Sequence, residues 1–352
     1  MTRDRVYLDW NATTPLRPEA RAAMAAAMDV AGNPSSVHAE GRAAKALVER
    51  ARGQIAEALG ALAADIVFVS GATEAAAMAL ADRNLACAGV EHDAVAAWCR
   101  ETLATDGDGL VHLPEGPEAL AGCTLQLANS ESGVIQTLPA GLAVSDLTQG
   151  FGKIAFGFDW SGVQMGFVSA HKLGGPKGIG ALVLRRGLDL PSRIRGGGQE
   201  MGRRSGTENL IGIAGFAAAA TAAQRDLSAG VWEKTSELRK ILESGLASEN
   251  SATIFVGKDG ARLPNTSLIA TPGWKGETQV MQMDLAGFAI SAGSACSSGK
   301  VRASRVLTAM GYDADTASSA IRVSLGPETT ETQVLRFVEA WGAQNRRRRP
   351  RA

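Results

Sequence analysis

The feature that most constrains this chain is a repeated junction. A short apolar run breaks at serine or glycine, then continues as an alanine-rich stretch. Ile66 to Val69 runs into Ser-Gly-Ala-Thr-Glu (Ser70–Glu74) and then into such a stretch. Leu125–Ala128, Leu142–Val144, Gly166–Ser169 and Gly178–Leu184 are further strand candidates. Helices are expected over Arg17–Met28, Ala39–Leu59 (stopped by Gly60), the buried run Leu210–Ala223 and the charged segment Val231–Leu246. Strands alternating with helices predict βαβ units on a mostly parallel sheet, an α/β fold. The alternation changes character near Ala229, and 352 residues exceed what one core organises, so a domain boundary is expected there.

Charge removes some function classes. Lys+Arg 36 balance Asp+Glu 36, so no global basic field favours nucleic acid. The opening residues MTRDRVYLDW carry charges and no apolar core of signal-peptide length. The longest apolar run, Leu210–Ala223, falls short of the ~20 residues that span a bilayer. Cys87, Cys99, Cys123 and Cys296 include no C-x-x-C pair, so neither a metal site nor a disulfide framework is expected, and a reducing cytoplasm fits. Cys87, Cys99 and Cys123 read as buried and inert. The terminal block Arg346–Arg349, Pro350 and Arg351 reads as frayed and solvated.

Phosphate chemistry needs donors at a turn. Gly-Gly-Pro-Lys-Gly-Ile-Gly (Gly174–Gly180) lacks the ending of a nucleotide P-loop. Ser70–Glu74 instead joins a strand to a helix, where free N–H groups attract an anion, although a plain helix cap would use the same residues. Asp146 closes one strand candidate, with Gln149 three residues on, and Lys172 follows another. Strand C-terminal ends collect ligands in α/β sheets. A lysine and an aspartate there are what pyridoxal phosphate requires: the amine forms a Schiff base and the carboxylate keeps the pyridine nitrogen protonated. Taken singly, each could be a surface lysine or a capping aspartate.

Their joint order goes further. Tyr7–Pro15 (YLDWNATTP), Gly32–Arg42 (GNPSSVHAEGR), Ser70–Glu74, Glu91–His92, Asp146–Gln149 (DLTQ), Ser169–Lys172 (SAHK), Gly196–Asn209 (GGGQEMGRRSGTEN), Ser291–Lys300 (SAGSACSSGK) and Ile321–Gly326 (IRVSLG) resemble the cysteine desulfurases of the NifS/IscS type, within the class V aminotransferases. The resemblance implies the fold type I of pyridoxal-phosphate transferases, with a large domain over 13–228 and a small domain of 1–12 plus 229–352. It implies that Lys172 carries the cofactor and moves the substrate's Cα proton, that Asp146 pairs with the ring nitrogen, that Gln149 bonds the ring hydroxyl and that His92 stacks on the ring. Ala72, Thr73, Ser169 and His171 would hold the phosphate, with Thr207 reaching it from the other subunit of a homodimer. Arg322 and Asn33 would take the carboxylate of L-cysteine, and Cys296 would accept its sulfur for a scaffold or acceptor protein that builds iron–sulfur clusters or thio-cofactors. His38 and His112 receive no chemistry.

The chain departs from that pattern. Where the family has two adjacent asparagines, Asn129 is followed by Ser130, so Ser130 or Asn129 must serve the cofactor instead. The stretch from Ser130 to Asp146 leaves too little room for the helix expected between parallel strands; the stretch from Thr73 to His92 is also short. Two alternatives remain open: selenocysteine lyase or another class V reaction, and a degenerate partner-binding scaffold.

Overall fold

The computed structural model describes residues 5–293 and 303–348. The chain opens with β1 (Val6–Tyr7), α1 (Pro18–Met28) and α2 (Ala39–Ala58). α2 starts where the His38 ring accepts the Gly41 amide, and it stops at Gly60, whose φ of 59° suits glycine. β2 (Ala64–Val69), α3 (Ala72–Leu80), β3 (Ala86–Ala88), α4 (Asp93–Ala96), β4 (Arg100–Leu103), α5 (Pro117–Leu120), β5 (Val144–Asp146), α6 (Phe158–Ser161), β6 (Met165–Ser169) and β7 (Gly180–Arg185) follow.

These strands build one layer. β5 and β6 pair in parallel, and β7 lies antiparallel between β6 and β2. β3 and β4 pair in parallel. The extended segment Leu125–Ala128 carries no strand of its own. Yet the Leu125 and Leu127 amides bond to Val144 and Asp146, while the preceding Thr124 amide bonds to Ala86. That stretch therefore links the two pieces in one direction, and β7 alone runs against the rest. The sheet is mainly parallel, as the alternation predicts. β6 is buried throughout, as expected for a strand covered on both faces.

α7 (Leu210–Ser228) crosses beneath the sheet against α1 and α2. Small residues let the helices approach: a Cβ on Gly215 would lie 2.6 Å from Met24. α8 (Val231–Glu249), β8 (Ile254–Phe255), β9 (Thr266–Ala270), α9 (Gly276–Leu285), β10 (Phe288–Ala289), β11 (Ser291–Ala292), α10 (Arg305–Ala309), α11 (Ala314–Ser318), β12 (Ala320–Ser324) and α12 (Glu331–Arg348) complete the chain. β1 pairs with β10, so Val6 and Leu8 share a core with Phe337 and Trp341.

Residues 129–143 contain no helix, as the short stretch requires. The basic tail is a correction. Arg346–Arg348 stay helical: Arg346 pairs with Glu249, and the Arg348 guanidinium lies 5.3 Å from the Trp274 ring and donates to Gly273 O. Arg349, Pro350 and Arg351 lie outside the described residues. Among the described residues, no helix is long and apolar enough to cross a membrane.

Candidate active site

The sheet delivers its strand ends to one cavity of about 700 Å³. β2 ends at Val69, and the chain turns through Ser70 and Gly71 into α3, whose N-terminus has no side-chain cap. First-turn amides have no intrahelical acceptor, so Ala72 and Thr73 present donors and the positive end of the helix dipole to the cavity. The turn is braced from behind. Glu74 accepts from the Ser70 amide at 2.7 Å and from Arg204 at 2.9 Å. Close approach of β7 needs glycine: a Cβ on Gly180 would sit 2.5 Å from Val168 O and 2.9 Å from Gly71.

β5 and β6 supply the opposite wall. Asp146 ends β5, and its carboxylate accepts the Thr148 amide at 2.8 Å. Ser169 ends β6, and a single 3₁₀ turn, Ala170–Lys172, then aims Lys172 into the cavity. The Lys172 amine donates to the carbonyls of Asn11 (2.7 Å) and Ala12 (2.9 Å). Burial and then the Arg322 cation pull that amine down to about 8, against the opposing pull of Asp146 and Asp9. Burial, with Lys172, Lys177 and Lys153 nearby, holds His171 neutral, down to about 4; its Nδ1 lies 3.2 Å from Thr13 Oγ1. His92 caps α4, its Nδ1 accepting the Ala94 amide, and stands at the cavity mouth.

A second cavity of about 400 Å³ adjoins the first through Ala12, His92, Ser130 and Lys172. Arg322, on β12, lines it. Its guanidinium bonds Asp9 at 2.7 Å and Ser130 O at 3.1 Å, while its Nε is buried without a partner. Glu131 stands beside it, accepting from Ser304 at 2.6 Å, and burial pushes its carboxyl up to about 7. Two larger clefts, beside Arg52 and beside Trp232, lack Lys172 and Asp146.

A lysine of lowered basicity, an aspartate and an uncapped helix start in one cavity can be weighed against known proteins. The family Aminotransferase class-V matches residues 6–100 and 123–337. The chain is 38% identical over 370 aligned residues to a cysteine desulfurase of Cereibacter sphaeroides, covering 96% of this chain and 94% of that protein. A NifS-like protein from Rickettsia africae superposes with a TM-score of 0.86 at 32% identity, over 97% of this chain and 99% of that one. A structure described as SspA in complex with cysteine superposes with a TM-score of 0.73 at 26% identity, covering 92% of this chain and 100% of that one.

The chain belongs to the class V aminotransferase family. Its fold is the fold type I of that family's pyridoxal-phosphate enzymes.

Within this class V fold, Ala72, Thr73, His92, Ser130, Asp146, Gln149, Ser169, His171 and Lys172 line the main cavity together. Others do not join them. Asn129 sits behind the wall, with Nδ2 on Val90 O and Oδ1 accepting from Glu131 N, Ser132 N and Ser132 Oγ. Asn33 is exposed elsewhere, its side chain closing a turn onto the Ser35 amide. Thr207 is exposed and lines neither cavity. Cys296 lies outside the described residues. Of the remaining cysteines, Cys87 is buried and shares a thiol hydrogen bond with the partly buried Cys99, which lowers Cys99 and raises Cys87. The Cys123 thiol donates to Ala119 O.

Two residues of the site escape the sequence reading. Asn11 is fully buried: its carbonyl receives Lys172 and Gln149, and its Oδ1 receives Lys153 and Asn265. Glu91, also buried, accepts the Gln126 amide at 2.6 Å; burial and then Asp146 drive its carboxyl well up. Both stand inside quoted motifs, but nothing in spacing alone says where their side chains turn.

Proposed function

We propose that this chain is a pyridoxal-phosphate-dependent cysteine desulfurase. The observation that carries the reading is the Lys172 amine, pulled down to about 8 in one cavity with Asp146 and the start of α3. The residues present fit the cofactor. Ala72 and Thr73 offer uncapped amides to a phosphate, with Ser169 and His171 alongside. Asp146 offers a carboxylate to a pyridinium, and the cavity volume accommodates the ring. Bound there, the cofactor supplies an electron sink for charge developing at the substrate Cα.

The chain's own groups do the rest. Lys172, neutral in part near pH 7, can take the Cα proton and return one. Arg322 has a buried Nε without a partner, which a substrate carboxylate would satisfy. Gly293 and Ala303, on either side of Cys296 in the sequence, line the second cavity, which supports sulfur transfer to Cys296. The Cys296 thiolate attacks the substrate sulfur, and the carbon–sulfur bonding pair stays with carbon. That leaves alanine and a Cys296 persulfide for an acceptor protein of iron–sulfur or thio-cofactor assembly. Cysteine desulfurase relatives and a cysteine-bound neighbour favour L-cysteine over selenocysteine.

The same reading divides the chain into 13–228 and 1–12 plus 229–352, which the shared core of Leu8 and Trp341 supports. It makes the protein a homodimer in which Thr207 reaches the partner's phosphate; Thr207 is exposed here and away from its own cavity. Purified holoprotein with L-cysteine should release alanine, and sulfide once a reductant is added. A yield no higher than that of Lys172→Ala would overturn the reading.

A further inference from the structure

We infer that Lys153 is a positioning residue: its buried amine, bridging Gln149 and Asn11, fixes the Gln149 amide with its NH2 group turned to the cavity of Lys172 and Asp146. The inference rests on the cofactor reading above and concerns a side chain that reading does not use.

The local fold brings the two together. The chain turns once after β5, with Phe151 N bonded to Leu147 O and Lys153 N to Gly150 O, so Gln149 and Lys153 stand one turn apart. Lys153 is 3% exposed. Its Nζ lies 2.7 Å from Gln149 Oε1 and 3.1 Å from Asn11 Oδ1, and neither partner is a carboxylate. Burial first, then Lys172 and Arg322, push the amine well below its usual range, and it donates to both neighbouring amide oxygens.

Two contacts select one amide orientation. Gln149 Nε2 lies 3.0 Å from the Asn11 carbonyl. In the flipped amide, two carbonyl oxygens would face each other at that distance, and the lysine N–H groups would meet the amide NH2. The observed orientation satisfies both ends. It uses one Nε2 hydrogen on Asn11 O and leaves the other for the cavity, which Gln149 lines. The cavity is therefore offered a donor at Gln149 and never an acceptor. The Asn11 carbonyl also receives Lys172 at 2.7 Å, so Gln149 and Lys172 share one anchor.

A donor held against the ring oxygen of the cofactor favours its anionic form. It lowers the pH at which the visible band of the Lys172-linked cofactor changes. Lys153→Met keeps the length and loses the donor. Its band midpoint should rise by up to about one pH unit, a tenfold shift in the proton equilibrium. Lys153→Gln, a neutral donor, should return most of it. Gln149→Ala should raise the midpoint similarly, and adding Lys153→Met to Gln149→Ala should change it no further. Lys153→Ala takes the place of the methionine variant should that one not fold. The inference is overturned if the midpoint ignores Lys153→Met, if Lys153→Gln shifts it equally, or if the lysine effect persists fully without Gln149. A wild-type protein that forms no visible band with pyridoxal phosphate removes the functional reading and this inference together; an insensitive midpoint removes this inference alone.

Discussion

The amine of Lys172 sets a rate that can be read against pH. Only the neutral amine attacks a carbonyl, so capture of pyridoxal phosphate by protein stripped of it should follow the neutral fraction. Bringing the group from 10.5 to about 8 raises that fraction at pH 7 from roughly one in 3,000 to roughly one in ten. The bimolecular rate, followed by stopped-flow at the visible band, should climb about tenfold per pH unit and level off near 8. His171, held near 4, stays neutral across this range and adds no step. Glu131, raised to about 7, titrates inside it, and Glu131→Gln separates its contribution. Arg322→Met tests the cause. It removes the cation that opposes protonation and leaves the pull of Asp146 and Asp9, so the plateau should move to higher pH. A rate still rising tenfold per unit at pH 10 in the wild type, or an Arg322→Met plateau at unchanged or lower pH, would refute the electrostatic argument.

Ser130→Asn should bind the cofactor as tightly as the wild type or up to about tenfold tighter, since one regained hydrogen bond is worth ~0.5–1.5 kcal/mol; markedly weaker binding in a fluorescence titration would show a cavity rebuilt around serine. Cys296→Ala should stay yellow and still bind L-cysteine while alanine formation collapses, and wild-type turnover would move another class V reaction ahead. Glu200→Ala should destabilise the fold. The Glu200 side chain, 3% exposed, accepts from Arg52 at 2.8 and 3.1 Å and from the Phe68 amide at 2.8 Å. Arg52 keeps Glu49, so the loss should sit at the low end for a broken buried pair, ~3 kcal/mol. A melting temperature within about 1 °C of wild type would show that the pair contributes little.

Strand ends and glycine turns are local features, and those were legible. The junctions at Ser70–Glu74 and Ser169–Lys172 fell where the apolar runs stop, because backbone geometry there depends on neighbours in sequence. Contacts across the chain were not. The Asn11–Lys153 pair joins residues 142 apart, and the Asn11–Asn265 pair residues 254 apart. Nothing in the sequence singles out Lys153, because burial of a lysine leaves no periodic trace. The tail misled for a related reason. A run of arginines signals repulsion, but Glu249 and the Trp274 ring, which offset it, come from elsewhere in the chain.

Two of the departures from the family pattern have one physical root. Between the extended segment Leu125–Ala128 and β5 the chain has no crossover helix, so it must turn at once. Asn129 makes that turn, its Oδ1 taking two amides and a hydroxyl from Glu131 and Ser132. An amide so committed cannot also serve the cavity. The next position faces the cavity instead. There Ser130 contributes its carbonyl to Arg322 and to Asn11, and the residue lines both cavities. The serine and the missing helix therefore meet in one wall, in which the backbone of residue 130 holds the arginine and Asn129 is taken up by the turn.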